Sequence, residues 1–181
     1  MSRELPSPEE ALKILREVGC SEDVIRHCEA VANLAVEISK RCLRNGVAVD
    51  INLVHIGGLL HDIGRSRTHS VHHVVVGAEI ARSLNLPEQV VRIIERHAGG
   101  GISAEEALEL GWPNKSYIPE TIEEKIVAYA DKLVEGSKII SIEETIKRFK
   151  SELGKDHPAI ERIKRLHDEI SRICGVFVKT S

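Results

Sequence analysis

The chain has 181 residues, 42% of them hydrophobic and only 3% aromatic, and carries a formal charge of −3. That length is near the usual size of one domain, with enough Ile, Val, Leu and Ala for a single core of closely packed helices. Acidic and basic residues are interspersed, so no broad positive field draws in long nucleic acid, and an anionic substrate must be met by local positive charge such as bound metal ions.

No run approaches the roughly 18 consecutive apolar residues of a membrane span, and Met1-Ser2-Arg3-Glu4-Leu5 lacks the apolar centre of a signal peptide. The expectation is a cytoplasmic protein with no membrane partner. Cys20, Cys28, Cys42 and Cys174 show no CxxC pairing and are expected to be small buried thiols, with disulfide or zinc roles as the alternatives.

Ser7-Pro8-Glu9-Glu10 reads as a helix start, with Ser as cap, Pro at the first helical position and Glu closing a capping box. This helix runs to about Val18, where Gly19 stops it. Ser21 caps a second helix, on which Val24, His27, Cys28, Val31, Leu34, Ala35, Ile38 and Cys42 recur at helical spacing, so His27 faces inward. A third, about Ile51 to Ile63, is apolar on nearly all sides and is expected to be central, delivering His61 and Asp62 from the middle of the fold.

After the polar loop 64–70, a fourth helix from about Val71 to Leu84 carries the stripe His73, Gly77, Ile80 and Leu84. The fifth places Val90, Ile93, Ile94 and His97 on one side and ends at Gly99-Gly100-Gly101. A short capped helix covers Ser103 to Leu110, and an irregular loop with Trp112, Pro113, Tyr117 and Pro119 follows. Thr121 opens a helix through about Glu135, with Asp131 on the face of Val127 and Val134. Two charged amphipathic helices, about Ser141 to Leu153 and Pro158 to Cys174, are expected to pack round the outside, where they can supply a dimer surface. A short strand is expected at Val176 to Val178. The fold class is all-α, a bundle of roughly seven to nine helices.

His27, His61, Asp62, His73, His97 and Asp131 thus come from five successive helices onto inward faces. A carboxylate or imidazole on a buried stripe is costly unless it is paired, protonated or bound to metal. Each has a bland explanation, and the set does not. Mixed His and Asp donors without cysteine favour Fe, Mn, Co, Ni or Zn, with Mg also admissible, over a closed structural zinc site. Two ions are expected, because a carboxylate beside a histidine can bridge a pair of cations that activate water and neutralise a phosphoester.

Leu59-Leu60-His61-Asp62-Ile63-Gly64-Arg65, preceded by Arg26-His27 and followed by Tyr129-Ala130-Asp131-Lys132, resembles the HD-domain superfamily of metal-dependent phosphohydrolases. Their pattern is H…HD…D, and His61-Asp62-Ile63-Gly64 matches the His-Asp-Ile-Gly subset letter for letter. The resemblance spans about Arg26 to Gly136. His73-(x)3-Gly77-Ala78-Glu79 and His97 look like the two extra histidines of the dinuclear branch, which includes bacterial diadenosine tetraphosphatases and HD-GYP cyclic-dinucleotide phosphodiesterases. The run Glu124 to Asp131 is similar to the tetraphosphatase segment around the last ligand. After His97 the chain reads Ala98-Gly99-Gly100-Gly101-Ile102 instead of Gly-Tyr-Pro, which argues against cyclic di-GMP.

The resemblance implies a single HD domain over 1–181, with its core at about 22–137 and peripheral helices at 7–18 and 138–175. It implies one metal held by His27, His61, Asp62 and Asp131, and a second held by His73 and His97 with Asp62 as bridge. A metal-activated water would attack phosphorus. Asp62, Arg65 and Lys132 are the catalytic candidates, and Arg65 and Lys132 are expected to contact phosphate and stabilise transition-state charge. His69 and His72 are candidates for the substrate-binding rim. His55 lies about two turns, roughly 10 Å, from Asp62 and is read as a packed side chain, as are His157 and His167. Trp112 and Tyr117 either stack on a nucleobase or anchor their loop.

The expected activity is hydrolysis of a small nucleotide-like phosphoester or phosphoanhydride. Three alternatives share these residues: a di-iron oxygenase with the same ligand set, an RNA or oligonucleotide phosphodiesterase, which the acidic balance disfavours, and a non-enzymatic scaffold that keeps the HD shape.

Overall fold

Ser7, Ser21, Asp50, Ser103, Thr121 and Ser141 each accept a first-turn backbone N–H with their side chain, so local sequence sets where these helices begin. The computed structural model describes residues 4–175. Among them the chain forms α1 (Pro8–Val18), α2 (Glu22–Arg44), α3 (Ile51–Leu60), α4 (His73–Ser83), α5 (Glu88–Glu95), α6 (Ala104–Glu109), α7 (Ile122–Lys132), α8 (Ile142–Leu153) and α9 (Pro158–Cys174). A two-stranded hairpin, β1 (Val134–Glu135) and β2 (Lys138–Ile139), lies between α7 and α8. No helix among the described residues is long and apolar enough to cross a membrane.

α3 is central because two of its residues have no side chain. A Cβ on Gly58 would stand 2.8 Å from Ala32 Cα, and one on Gly57 would stand 2.4 Å from Ile93 Cδ1, so α2 and α5 close on opposite sides of it. Leu60, Ile63 and Ile94 join α1 and α2 residues such as Leu15 and Ile25 in one apolar cluster. Val31, Ile38, Ile126, Tyr129, Ile163 and Ile170 form another, between α2, α7 and α9.

The element boundaries differ from expectation where the chain turns into the site. α3 stops at Leu60, three residues early, and Ile63–Ser66 form a 3₁₀ turn, because Gly64 must pass against α4. α5 stops at Glu95, so His97 lies beyond the helix and starts the tight turn Ala98–Gly100. On α4 the buried stripe is His73, Val74, Gly77, Ala78 and Ala81, while Ile80 is half-buried and Leu84 exposed. α7 stops at Lys132 instead of near Glu135, because Gly136, at φ +58°, turns the chain into the hairpin.

The closing helices are less peripheral than their charge predicts. α9 buries Ile160, Ile163, Leu166 and Ile170 against the core. Cys42 and Cys174 form a disulfide joining α2 to α9 across 132 residues, which corrects the expectation of four free thiols; Cys20 and Cys28 are the free, buried pair. Pairing across that distance leaves no local pattern. The strand expected at Val176 to Val178 lies outside the described residues.

Two outcomes follow from this packing. A Cβ on Gly64 would fall 1.9 Å from the His73 carbonyl oxygen and 2.7 Å from the Gly77 nitrogen, both backbone atoms that cannot swing aside. Gly64→Ala is therefore expected to destabilise the protein by about 3 kcal/mol in chemical denaturation, and an unchanged midpoint would refute the contact. Thiol titration of the denatured, unreduced chain is expected to count two of the four cysteines, rising to four after reduction.

Candidate metal centre

The candidate ligands sit mainly at helix ends. His61 follows the last residue of α3, His73 is the first residue of α4, His97 lies two residues past α5, and Asp131 is the penultimate residue of α7. The last carbonyls of a helix lack intrahelical partners, and imidazoles here take that role. His61 Nδ1 donates to the Gly58 carbonyl at 2.7 Å and His97 Nδ1 to the Ile94 carbonyl at 2.8 Å. His73 Nδ1 donates to Ser70 O and His27 Nδ1 to Gly136 O, each at 2.7 Å. A carbonyl only accepts, so each Nδ1 carries a proton, and each ring in its neutral form directs an Nε2 lone pair into the site.

The carboxylates meet those lone pairs in two groups. Asp131 Oδ1 stands 3.0 Å from His27 Nε2 and 3.4 Å from His61 Nε2. Asp62 divides its oxygens: Oδ2 is 3.7 Å from His61 Nε2 and 3.8 Å from His27 Nε2, while Oδ1 is 3.1 Å from His73 Nε2 and 3.3 Å from His97 Nε2. His27, His61 and Asp131, and again His61, Asp62 and His97, hold donor atoms within 4.8 Å of one another. His73 joins the second group through Asp62 and through His97, whose Nε2 is 3.1 Å from its own.

These distances suit cations better than protons. His73 and His97 bring two Nε2 atoms together after both rings have committed their Nδ1–H to carbonyls, so two lone pairs face each other. His61 Nε2 and Asp62 Oδ1 are buried without a hydrogen-bond partner. A buried polar atom left in that state is costly, and divalent metal satisfies all four groups at once.

Charge and burial prepare the donors. Burial works to raise the Asp62 carboxyl, but the imidazoles of His61, His73 and His97 hold it well below the ordinary carboxylate range. Asp131 is held down in the same way against its burial, by Lys132, His27 and His61. Burial pushes His97 down to about 4, so its ring stays neutral. His27 moves the other way: the hydrogen bond and charge of Asp131 outweigh burial and lift it above its usual 6.5.

Arg65 and Lys132 are tied to these carboxylates. Arg65 Nε donates to Asp62 Oδ2 at 2.7 Å and its Nη1 to the His69 carbonyl at 3.1 Å. Lys132 is buried with its ammonium on Asp131 Oδ2. Both line a cavity of about 930 Å³ that includes the ligand cluster, and exposed His69 lines it too. His72 lies outside that lining, where its Nδ1 accepts the Trp112 indole N–H at 2.7 Å. Trp112 and Tyr117 are buried with their rings 5.2 Å apart, so they anchor the loop, while Ile102 and Leu110, on either side of α6, line the cavity. His55 is half-buried on α3, and His167 bonds the Tyr129 hydroxyl at 2.7 Å.

The sequence reading missed the far wall of this cavity, to which α8, α9 and the turn before α9 contribute Arg148, Phe149, His157 and Arg162. It also missed the Gly136 carbonyl that orients His27. Neither leaves a local signal, since both depend on contacts made across the fold.

The model of the HD domain matches residues 24–136, which contain all six candidate ligands. The chain belongs to the HD domain family. Among its relatives, an uncharacterized protein of Methanocaldococcus jannaschii is 53% identical over 91% of this chain and 97% of that protein. A tRNA (cytidine(56)-2'-O)-methyltransferase of Picrophilus torridus is 43% identical over 94% of this chain, and this chain spans only 48% of that enzyme. Ribonuclease Y of Acidothermus cellulolyticus is 28% identical over 78% of this chain and 26% of its own length. The HD domain of the Listeria monocytogenes phosphodiesterase PgpH shares the fold, with a TM-score of 0.53 at 19% identity over 96% of this chain and 91% of its own; a second structure of that domain contains cyclic-di-AMP. The chain therefore combines the HD domain fold with His and Asp groups that could hold metal ions.

With His27 raised, metal entering the stripped site displaces a proton. Affinity for Mn²⁺ is then expected to fall about tenfold per pH unit below the His27 pKa and to level off above it. Calorimetric titration across about pH 5.5 to 8.5, in buffers of different ionisation enthalpy, measures that proton directly. No proton release over the range would contradict the assignment.

Proposed function

We propose that the chain hydrolyses a small nucleotide-like phosphoester or phosphoanhydride with two divalent cations, one beside His27, His61 and Asp131 and the other beside His73 and His97. The observation that carries this reading is the division of Asp62, whose Oδ2 faces the first group and whose Oδ1 faces the second. When bound, such cations supply a water that ionises near neutral pH and positive charge against the phosphoryl oxygens.

The chain's own residues prepare the site for that chemistry. The four carbonyl-anchored imidazoles point Nε2 into the site, where metal takes the place of the proton on His27, and Asp62 and Asp131 stay ionised. Arg65 fixes Asp62 Oδ2 while its guanidinium lines the cavity, where it can contact a phosphate oxygen. Lys132 holds Asp131 Oδ2, leaving Oδ1 for the metal side. The cavity of about 930 Å³ has room for a nucleotide. The phosphodiesterase fold relative and its cyclic-di-AMP complex are consistent with a phosphodiester substrate.

A second reading, hydrolysis of a phosphodiester at an RNA end or in an oligonucleotide, is favoured by the relatives named as a tRNA methyltransferase and ribonuclease Y. Those activities belong to longer proteins.

The test joins metal analysis with product formation from phosphomonoester, phosphodiester and phosphoanhydride substrates across a Mn, Fe, Co, Ni and Mg panel. Wild type is expected to hold about two ions per chain, and His61→Ala and Asp62→Ala to lose activity by about a thousandfold or more, near 4 kcal/mol of barrier. Bound iron without hydrolysis would favour the oxygenase, and full activity in Asp62→Ala would refute the bridged site.

A further inference from the structure

The family match ends at residue 136, but the cavity continues past it. Its far wall comes from α8, α9 and the hairpin, and that wall differs in character from the ligand cluster. Arg148 donates to Glu135 at 2.8 Å. Arg162 donates through Nη2 to both Glu106 oxygens at 2.8 and 2.7 Å, and through Nε to the Gly101 carbonyl at 3.0 Å. Each guanidinium charge is therefore answered by a carboxylate, Glu135 on the hairpin and Glu106 on α6, and Glu109 and Glu152 line the cavity too.

A polyphosphate leading outward from the ligand cluster would run past those carboxylates, and among the described residues each arginine that lines the cavity is already paired with a carboxylate. A nucleoside meets suitable surface there. Phe149 is half-buried against the core, and Leu153 beside it is 45% exposed. A Cβ on Gly99 would be in ordinary contact, 3.9 Å from Phe149 Cε1 and 3.7 Å from Ala159 Cβ, so the glycine turn after His97 runs close to the edge of the ring and joins this surface to the ligand cluster. Arg148 Cζ lies 5.6 Å from the ring centre, which pairs an aromatic ring with a planar guanidinium, two groups on which bases stack.

Building on the hydrolase reading, we propose that the α8–α9 wall is a nucleobase subsite centred on Phe149, and that the substrate meets the metal site through one phosphate or phosphodiester, not through a polyphosphate chain. The base-bearing part of the substrate lies against Phe149 and Leu153, and the scissile phosphate lies at Asp62. The cage inside 24–136 performs the chemistry, and the wall beyond it chooses the substrate.

The test compares kcat/KM on a diadenylate, the same dinucleotide without bases, and diadenosine tetraphosphate. Wild type is expected to favour the diadenylate over the abasic compound by about tenfold or more, as one stacked base contributes. It should favour the diadenylate over the tetraphosphate as well. Phe149→Leu, which keeps apolar volume, should bring the base-bearing and abasic substrates to near parity. Leu153→Ala, at an exposed position, should narrow the ratio without threatening the fold. Equal wild-type use of base-bearing and abasic substrates, or a preference for the tetraphosphate, overturns the subsite while leaving the hydrolase reading intact. Should no substrate be cleaved to its nucleotide or sugar-phosphate products with any metal, the hydrolase reading fails instead. Calorimetry of AMP against ribose 5-phosphate on the Mn²⁺-loaded protein then reads the subsite alone, and equal affinities would overturn it.

Discussion

Four imidazoles that give away Nδ1–H to backbone carbonyls are the constraint on which the rest of the structure depends. A histidine with a free choice of tautomer can satisfy itself, donating from one nitrogen and accepting at the other. Bonds to Gly136, Gly58, Ser70 and Ile94 remove that choice, so each Nε2 must find a positive partner. With Asp62 and Asp131 ionised among them, the cluster is a set of acceptors without enough donors. Protonating it fully would require charge on rings such as His97, whose burial resists that. Divalent cations resolve the imbalance, which is why the geometry implies metal even before any relative is considered.

Much of the surrounding fold can be understood as support for those carbonyls. The Gly58 oxygen is available to His61 because α3 ends at Leu60, and α3 ends there because the Gly64 turn is pressed against the His73 carbonyl and the Gly77 nitrogen. The same contact sets the start of α4 and hence His73. Gly57 and Gly58 then let α5 and α2 approach α3 closely, and these segments lead to His97 and carry His27. Small residues at three positions of one short segment thus hold four ligands in register.

What was legible in the sequence was local or periodic. Ser7, Ser103 and Thr121 announce their helices because a cap and the carboxylate three residues later lie within one turn. The inward direction of His27, His61 and Asp131 followed from helical spacing, and the HD pattern tied them together. The failures share a different cause. His27 finds its carbonyl 109 residues away at Gly136, and Cys42 finds Cys174 132 residues away. α9 looks peripheral by charge because its apolar stripe is narrow, yet Ile163 and Ile170 close the core. Trp112 could be assigned to the loop but not to His72, since the sequence holds no trace of which ring meets which.

This separation between local and distant information also divides the cavity. The ligand cluster lies in the segment that defines the family, where short-range spacing is stringent because a metal tolerates little displacement of its donors. The opposite wall is built by α8 and α9, held in place by Arg162 on Gly101 and Glu106 and by a disulfide from α9 to α2. Packing at Gly100 is equally close: a Cβ there would lie 3.0 Å from the Ile163 nitrogen, so α9 is seated directly on the glycine turn that follows His97. The α8–α9 wall is therefore mechanically continuous with one candidate-ligand segment, although it lies outside the stretch that carries the donors. Residues on that wall can change without disturbing the donors, provided that the seat on Gly100 is kept.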